Sequence, residues 1–237
     1  MCDRCTGSGL SRRMLLANTG ALMAASVLPP RAAWAENDAA PNAIPPSQAL
    51  ARLTEGNARY MEDSLKERDY SVGRAARAEG QHPVAGILSC ADSRVPPEII
   101  FDQGPGDLFV SRDAGNVVSN YGLASFEFAV TSLGIPLIVV VGHTGCGAVA
   151  TALGASTSRK DLPGHLPELV KAIEPAVITA HGRHPGDFLA ASIEENVRLG
   201  MKRLKTQSKI IGDAVTSGKV GIAGGVYDLE TGAVNWI

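Results

Sequence analysis

The 237 residues carry 22 Lys and Arg against 24 Asp and Glu, a net charge of −2, with 45% hydrophobic and 19% charged residues. That balance describes a globular chain long enough for one substantial core, and no second domain is needed to account for it. It holds neither a basic stripe nor an aromatic-interleaved basic patch, which makes nucleic acid and anionic membrane poor partners.

The chain opens with Ser11-Arg12-Arg13-Met14-Leu15-Leu16, a mildly apolar stretch to Leu28, and then Ala33-Trp34-Ala35. A charged part, an apolar part and a small-residue cleavage site make an export signal, and the arginine pair makes it similar to the twin-arginine type. Asn18, Thr19 and Gly20 interrupt the apolar part, so it falls short of the roughly 20 residues a membrane span needs. We therefore expect residues 1–35 to be removed, with Glu36 as the first mature residue and the periplasm or the exterior as the destination. That segment holds four of the 22 basic residues and one of the 24 acidic ones, which leaves the remainder at about −5. Cys2 and Cys5 form a C-x-x-C within it; with no second pair, it reads as a passive part of the signal.

Residues 36–46 are rich in Pro, Asn and Ala and read as a linker, which leaves 47–237 as a single domain. Ser47 is a candidate N-cap, and Ala49, Leu50, Leu53 and Tyr60 mark an amphipathic helix to about Met61. Tyr70 to Glu79 suits a second, short helix. Val84 to Ser89 is a continuous apolar run of the buried parallel-strand type, and it ends at Cys90. Pro96-Pro97 opens a short helix through Phe101. Asp107 to Ser111 is a second strand, residues 122–133 a crossover helix, and Pro136 to Val141 a third strand that ends just before His143. A helix begins at Gly145 with Cys146 in its first turn. Residues 166–181 and 187–217 read as helices, the latter broken near Thr206, and Val220 to Tyr227 and Gly232 to Ile237 as strands. Right-handed crossovers then make this an α/β fold with a central, mostly parallel sheet flanked by helices.

Two clusters, Cys90-Ala91-Asp92-Ser93-Arg94 and His143-Thr144-Gly145-Cys146, fall at strand C-termini, where an open parallel sheet delivers its loops to one crevice. Cys90, His143 and Cys146 are thiolate and imidazole donors of the kind that bind zinc tetrahedrally, with the fourth position left for water at a catalytic site. A helix N-terminus favours the Cys146 thiolate. Asp92 and Arg94, at two-residue steps from Cys90, project on its side if the backbone stays extended. Such a pair stays charged and organises a water on the metal, which matters because two thiolates cancel the charge of Zn²⁺ and weaken it as a Lewis acid. Each fragment alone has an ordinary explanation, a core thiol or a surface ion pair; their conjunction carries the metal reading. A purely structural site, with Asp92 closing the shell, is the competing possibility. His82, His165, His181 and His184 have no such constellation and read as surface or loop residues.

With Gly115-Asn116 and Gly142 to Gly147 added to these motifs, the chain from Ser47 to Ile237 resembles a β-class carbonic anhydrase. The resemblance implies a zinc enzyme that reversibly hydrates CO2 to bicarbonate and a proton through zinc-bound hydroxide. Cys90, His143 and Cys146 would be the metal ligands and Asp92-Arg94 the dyad, with Asp92 on the metal only in a closed site. Gln81 matches a glutamine that reaches a neighbouring subunit's site, Phe109 and Phe128 match apolar residues of the CO2 pocket, and the Gly147 N–H matches a substrate-side donor. Dimers or larger homo-oligomers with interface active sites are implied. Some members are gated through a second bicarbonate pocket that uses a tryptophan three residues before the first cysteine ligand. Ile87 stands there in this chain, although Arg112 matches another member of that pocket, so an open site is expected. Alternatives are hydrolysis of a CO2 analogue such as carbonyl sulfide or carbon disulfide, or a non-catalytic zinc module.

Overall fold

The computed structural model describes residues 40–158, 162–183 and 186–237. The expected export signal with Cys2 and Cys5, its expected cleavage site at Ala35, the start of the expected linker and His184 lie outside the described residues. In chain order the elements are α1 (Pro46–Met61), α2 (Arg74–Glu79), β1 (Ala85–Ser89), α3 (Pro97–Ile100), β2 (Leu108–Arg112), a 3-10 turn (Ala114–Asn116), α4 (Asn120–Ser132) and β3 (Leu137–His143). There follow α5 (Gly147–Ser158), α6 (Leu166–Gly182), α7 (Phe188–Gln207), α8 (Lys209–Thr216), β4 (Gly221–Tyr227) and β5 (Val234–Trp236). Among the described residues no helix is long and apolar enough to cross a membrane.

The five strands form one sheet in the order β2-β1-β3-β4-β5, parallel except for β5, which closes one edge antiparallel to β4. β1 and β3 are buried at every position, as central strands covered on both faces must be. One face, carrying Leu88, Ile138 and Val140, packs against residues such as Phe126 of α4, Val149 of α5, Ile173 of α6, Val197 of α7 and Ile211 of α8. The opposite face, carrying Ile87, Val139 and Val141, is covered by Leu53 of α1 and Ile100 and Phe101 at the end of α3. Phe101 stacks on Trp236 of β5 at a centroid distance of 6.1 Å.

The predicted boundaries shift where local chemistry decides. Residues 70–73 turn rather than coil into α2, because Gly73 takes φ +75° and starts the helix behind it. The break near Thr206 falls at Ser208, whose hydroxyl accepts from the Ile211 N–H and so caps α8. β3 runs on to include His143, placing the imidazole on the strand itself.

Polar side chains tie the N-terminal helix to distant backbone. Asn57 donates to the carbonyls of Ile100 (3.2 Å) and Gly232 (2.9 Å) and accepts from the Val234 N–H (2.8 Å). The Asp102 carboxylate, wholly buried, accepts from the guanidinium groups of Arg59 and Arg68 and from the Lys66 N–H.

Candidate metal centre

β1 and β3 are hydrogen-bonded neighbours with Ser89 level with Val141, so Cys90 and His143 emerge side by side from the same end of the sheet. The chain then turns at Gly145, which takes φ +64°, and enters α5. Cys146 sits just ahead of that helix, its carbonyl accepting from the Ala150 N–H (2.9 Å), so the sulfur faces the N-terminal end of α5 and its first-turn N–H groups. The ligand atoms of Cys90, His143 and Cys146, all three buried, lie within 4.8 Å of one another.

The donor chemistry fits a metal ion. The Nδ1–H of His143 donates to the Thr144 carbonyl at 3.0 Å, which leaves the lone pair on Nε2. That nitrogen is fully buried and has no hydrogen-bond partner, a costly arrangement unless a cation takes the lone pair. The thiols behave as one unit. A hydrogen bond from Cys146 is the largest influence holding Cys90 down, to about 3, against burial, while the same interaction and burial push Cys146 up. The shared hydrogen bond thus favours the thiolate at Cys90 and keeps the proton at Cys146.

Asp92 and Arg94 stand at the rim. Arg94 grips the carboxylate with two parallel bonds, Nε to Oδ1 at 2.9 Å and Nη2 to Oδ2 at 2.7 Å, and its backbone N–H reaches Oδ1 at 3.0 Å. Those bonds, the side-chain ones first, hold the Asp92 carboxyl well below the usual carboxylate range despite partial burial. Oδ2 is 3.9 Å from His143 Nε2, close to the metal-ligand trio but engaged by arginine.

A family model described as carbonic anhydrase matches residues 85–234, well over half of the chain. The chain belongs to the carbonic anhydrase family. Carbonic anhydrase 2 of Mycobacterium tuberculosis is 41% identical over 193 residues, covering 79% of this chain and 90% of that protein. The carbonic anhydrase of Mycolicibacterium smegmatis is 37% identical, covering 80% and 92%. The crystal structure of the β-carbonic anhydrase CafA of Aspergillus fumigatus is similar at a TM-score of 0.63 and 28% identity, covering 81% of this chain and 89% of that one. This carbonic anhydrase is thus an enzyme of the β class.

Of the other residues singled out in the sequence, Phe109, Phe128 and Gln81 lie apart from the trio within one chain. Phe109 is level with Gly86 on β1, about four residues or roughly 13 Å along the strand from Cys90. It packs against Phe126 and Phe128 at centroid distances of 6.5 and 6.4 Å, and Phe128 is half exposed on α4. Gln81 is exposed in the segment before β1, and Gly147 opens α5 beside Cys146.

Two features escaped the sequence reading. Arg112, matched there to a gating pocket, donates through Nε to the Cys90 carbonyl at 3.0 Å and through Nη2 to the Asp92 carbonyl, so it clamps the loop that bears the dyad. His181 is not a loop residue: it lies half-buried in the last turn of α6, its ring 4.6 Å from that of Phe188 and its Nε2 covered and without a hydrogen-bond partner. His82 and His165 are exposed.

Proposed function

We propose that this chain is a zinc-dependent carbonic anhydrase that interconverts CO2 and water with bicarbonate and a proton, working in an open form with Asp92 held by Arg94. The observation that carries the proposal is the two-point Asp92–Arg94 pair with its Oδ2 3.9 Å from the unpartnered His143 Nε2. A site built only for structure has no need of an oriented carboxylate beside three ligands.

Cys90, His143 and Cys146 would hold the metal. Zinc, when bound, would supply the Lewis acidity that lowers the ionisation of water toward about 7. Asp92, ionised and acceptor-only while Arg94 holds it, accepts a hydrogen bond from the attacking water and turns its lone pair toward CO2. His143 keeps its tautomer through Thr144, and no side chain is required to take the proton during the attack itself. The Gly147 N–H is the donor for a substrate oxygen.

Gln81, Phe109 and Phe128 act in this reading on the site of a second copy, so the working unit is a homodimer or larger assembly. In support, no residue from Met61 to His82 is buried, α2 buries none of its side chains, and Tyr121 and Phe128, seven residues apart on α4, are 87% and 50% exposed. Two exposed aromatic rings on one face of α4 suit burial against a second copy.

The proposal extends to export through the twin-arginine-type signal of residues 1–35, which delivers a folded chain. Folding and metal loading before export would protect Cys90 and Cys146 from oxidation to a disulfide. Replacing Arg12 and Arg13 by lysine should then retain the protein in the cytoplasm.

Stopped-flow CO2 hydration tests the catalytic reading. Rapid turnover that is lost on chelation and returns with zinc is expected. A chain with zinc fully bound and no turnover would overturn it, and sulfur analogues of CO2 would be tried next.

A further inference from the structure

We propose that Asn196 is a positioning residue of the metal centre, acting on the Cys90 sulfur through the backbone of Gly115; this rests on the metal-site reading above. Asn196 lies on α7, 3% exposed, and its Nδ2 donates to the Gly115 carbonyl at 2.6 Å. The Gly115 N–H in turn donates to Cys90 Sγ at 3.2 Å. A second N–H, from Asp92, reaches the same sulfur at 3.4 Å, but it belongs to the loop that carries the dyad.

The glycine needs an external anchor. Gly115 takes φ +67° and ψ +24° inside the 3-10 turn, and an added Cβ would lie 2.8 Å from Ile173 Cδ1. Only glycine fits there, and glycine is also the residue least able to hold one conformation by itself. Asn196 supplies the missing constraint from outside the turn. α7 packs on β3, β4 and α6, so the amide is carried by a helix seated on the central sheet. The chain of contacts runs from that helix to the turn, and from the turn to the sulfur. Ligand-orienting contacts of this kind are the ones that tune a metal site.

An N–H bond to sulfur lowers the energy of the sulfur lone pairs. Losing it should move the sulfur-to-cobalt charge-transfer absorption of the Co²⁺-loaded protein to longer wavelength, a change that loosened packing alone does not produce. The full-length chain is compared as wild type, Asn196→Ala, Asn196→Leu and Ser192→Ala. Asn196→Leu keeps the side-chain volume without the donor, so it carries the test if the alanine variant does not fold. Ser192, fully buried one turn earlier on α7 and bonded to the Phe188 carbonyl at 2.6 Å, reports a structural loss on the same helix.

Both Asn196 variants are expected to show the shifted band and about 10–100-fold weaker cobalt retention against a chelator. Ser192→Ala should show neither. An unmoved band in a folded Asn196 variant, an equal shift in Ser192→Ala, or failure of both Asn196 variants to fold would overturn the proposal. A wild-type chain with no thiolate-to-cobalt band would overturn the metal-site reading itself, whereas a wild-type band that the variants leave unchanged overturns only the assignment to Asn196.

Discussion

Asp92 is held in one orientation and one charge state, and both can be tested separately. Asp92→Asn keeps the shape but weakens the two-point grip of Arg94, and it should abolish CO2 hydration while leaving zinc content by elemental analysis at one per chain. The charge state has its own signature. Because Arg94 lowers the folded-state ionisation of Asp92 below its ordinary 3.8, the pair contributes stability above about pH 3.8 that is lost as pH falls through the depressed value. The difference in unfolding midpoint between wild type and Asp92→Asn should therefore stay constant from pH 8 to pH 5 and close only in stronger acid, as followed by denaturant titration. Cys90, His143, Cys146, Asp92 and Arg94 were legible in the sequence because their residue types are unusual at strand ends. The clamp made by Arg112 and the contact made by Asn196 were not, since both are bonds to backbone carbonyls, of residues 20 to 22 and 81 positions away, and a carbonyl leaves no trace in residue identity.

Among the elements, the strands were readable because β1 and β3 are continuous apolar runs, and such runs fit only a doubly covered sheet. How α1 meets α3 was not readable. It depends on Asp102, which joins Arg59 of α1 and Arg68 of the following segment just past the end of α3. Asp102→Ala should lower stability by about 2 kcal/mol, less than the ~3–5 kcal/mol of a fully buried broken pair, because the two arginine side chains keep 24% and 22% of their exposure. Chemical denaturation with an unchanged slope would verify it. Gly115→Ala strains both a left-handed backbone and the contact with Ile173, so it should cost about 1–3 kcal/mol in the same assay.

For the whole molecule, the proposed sharing of active sites between copies can be decided by a complementation experiment. Cys90→Ser removes a metal ligand, and Gln81→Ala removes a residue proposed to act across the interface. Mixed dimers pair an intact metal site of one chain with the intact Gln81 of the other, so co-assembly should restore activity above the sum of the parents; simple additivity would place Gln81 within its own chain. The Asn57 contacts bear on a different property, the order in which the molecule can be completed. The bond from Val234 to Asn57 spans 177 residues, so this contact of α1, unlike the nearer ones to Ile100 and Asp102, cannot form until the last strand has been synthesised. At the ~5–20 residues per second of translation, Asn57 waits roughly 10–35 s for Val234, whereas the sheet edge beside β4 is open only for the second or so before β5 follows it. A nascent chain stalled before residue 232 should therefore show α1 docked but cut by protease more readily around Asn57 than the finished chain, and release should bring added protection there together with β5.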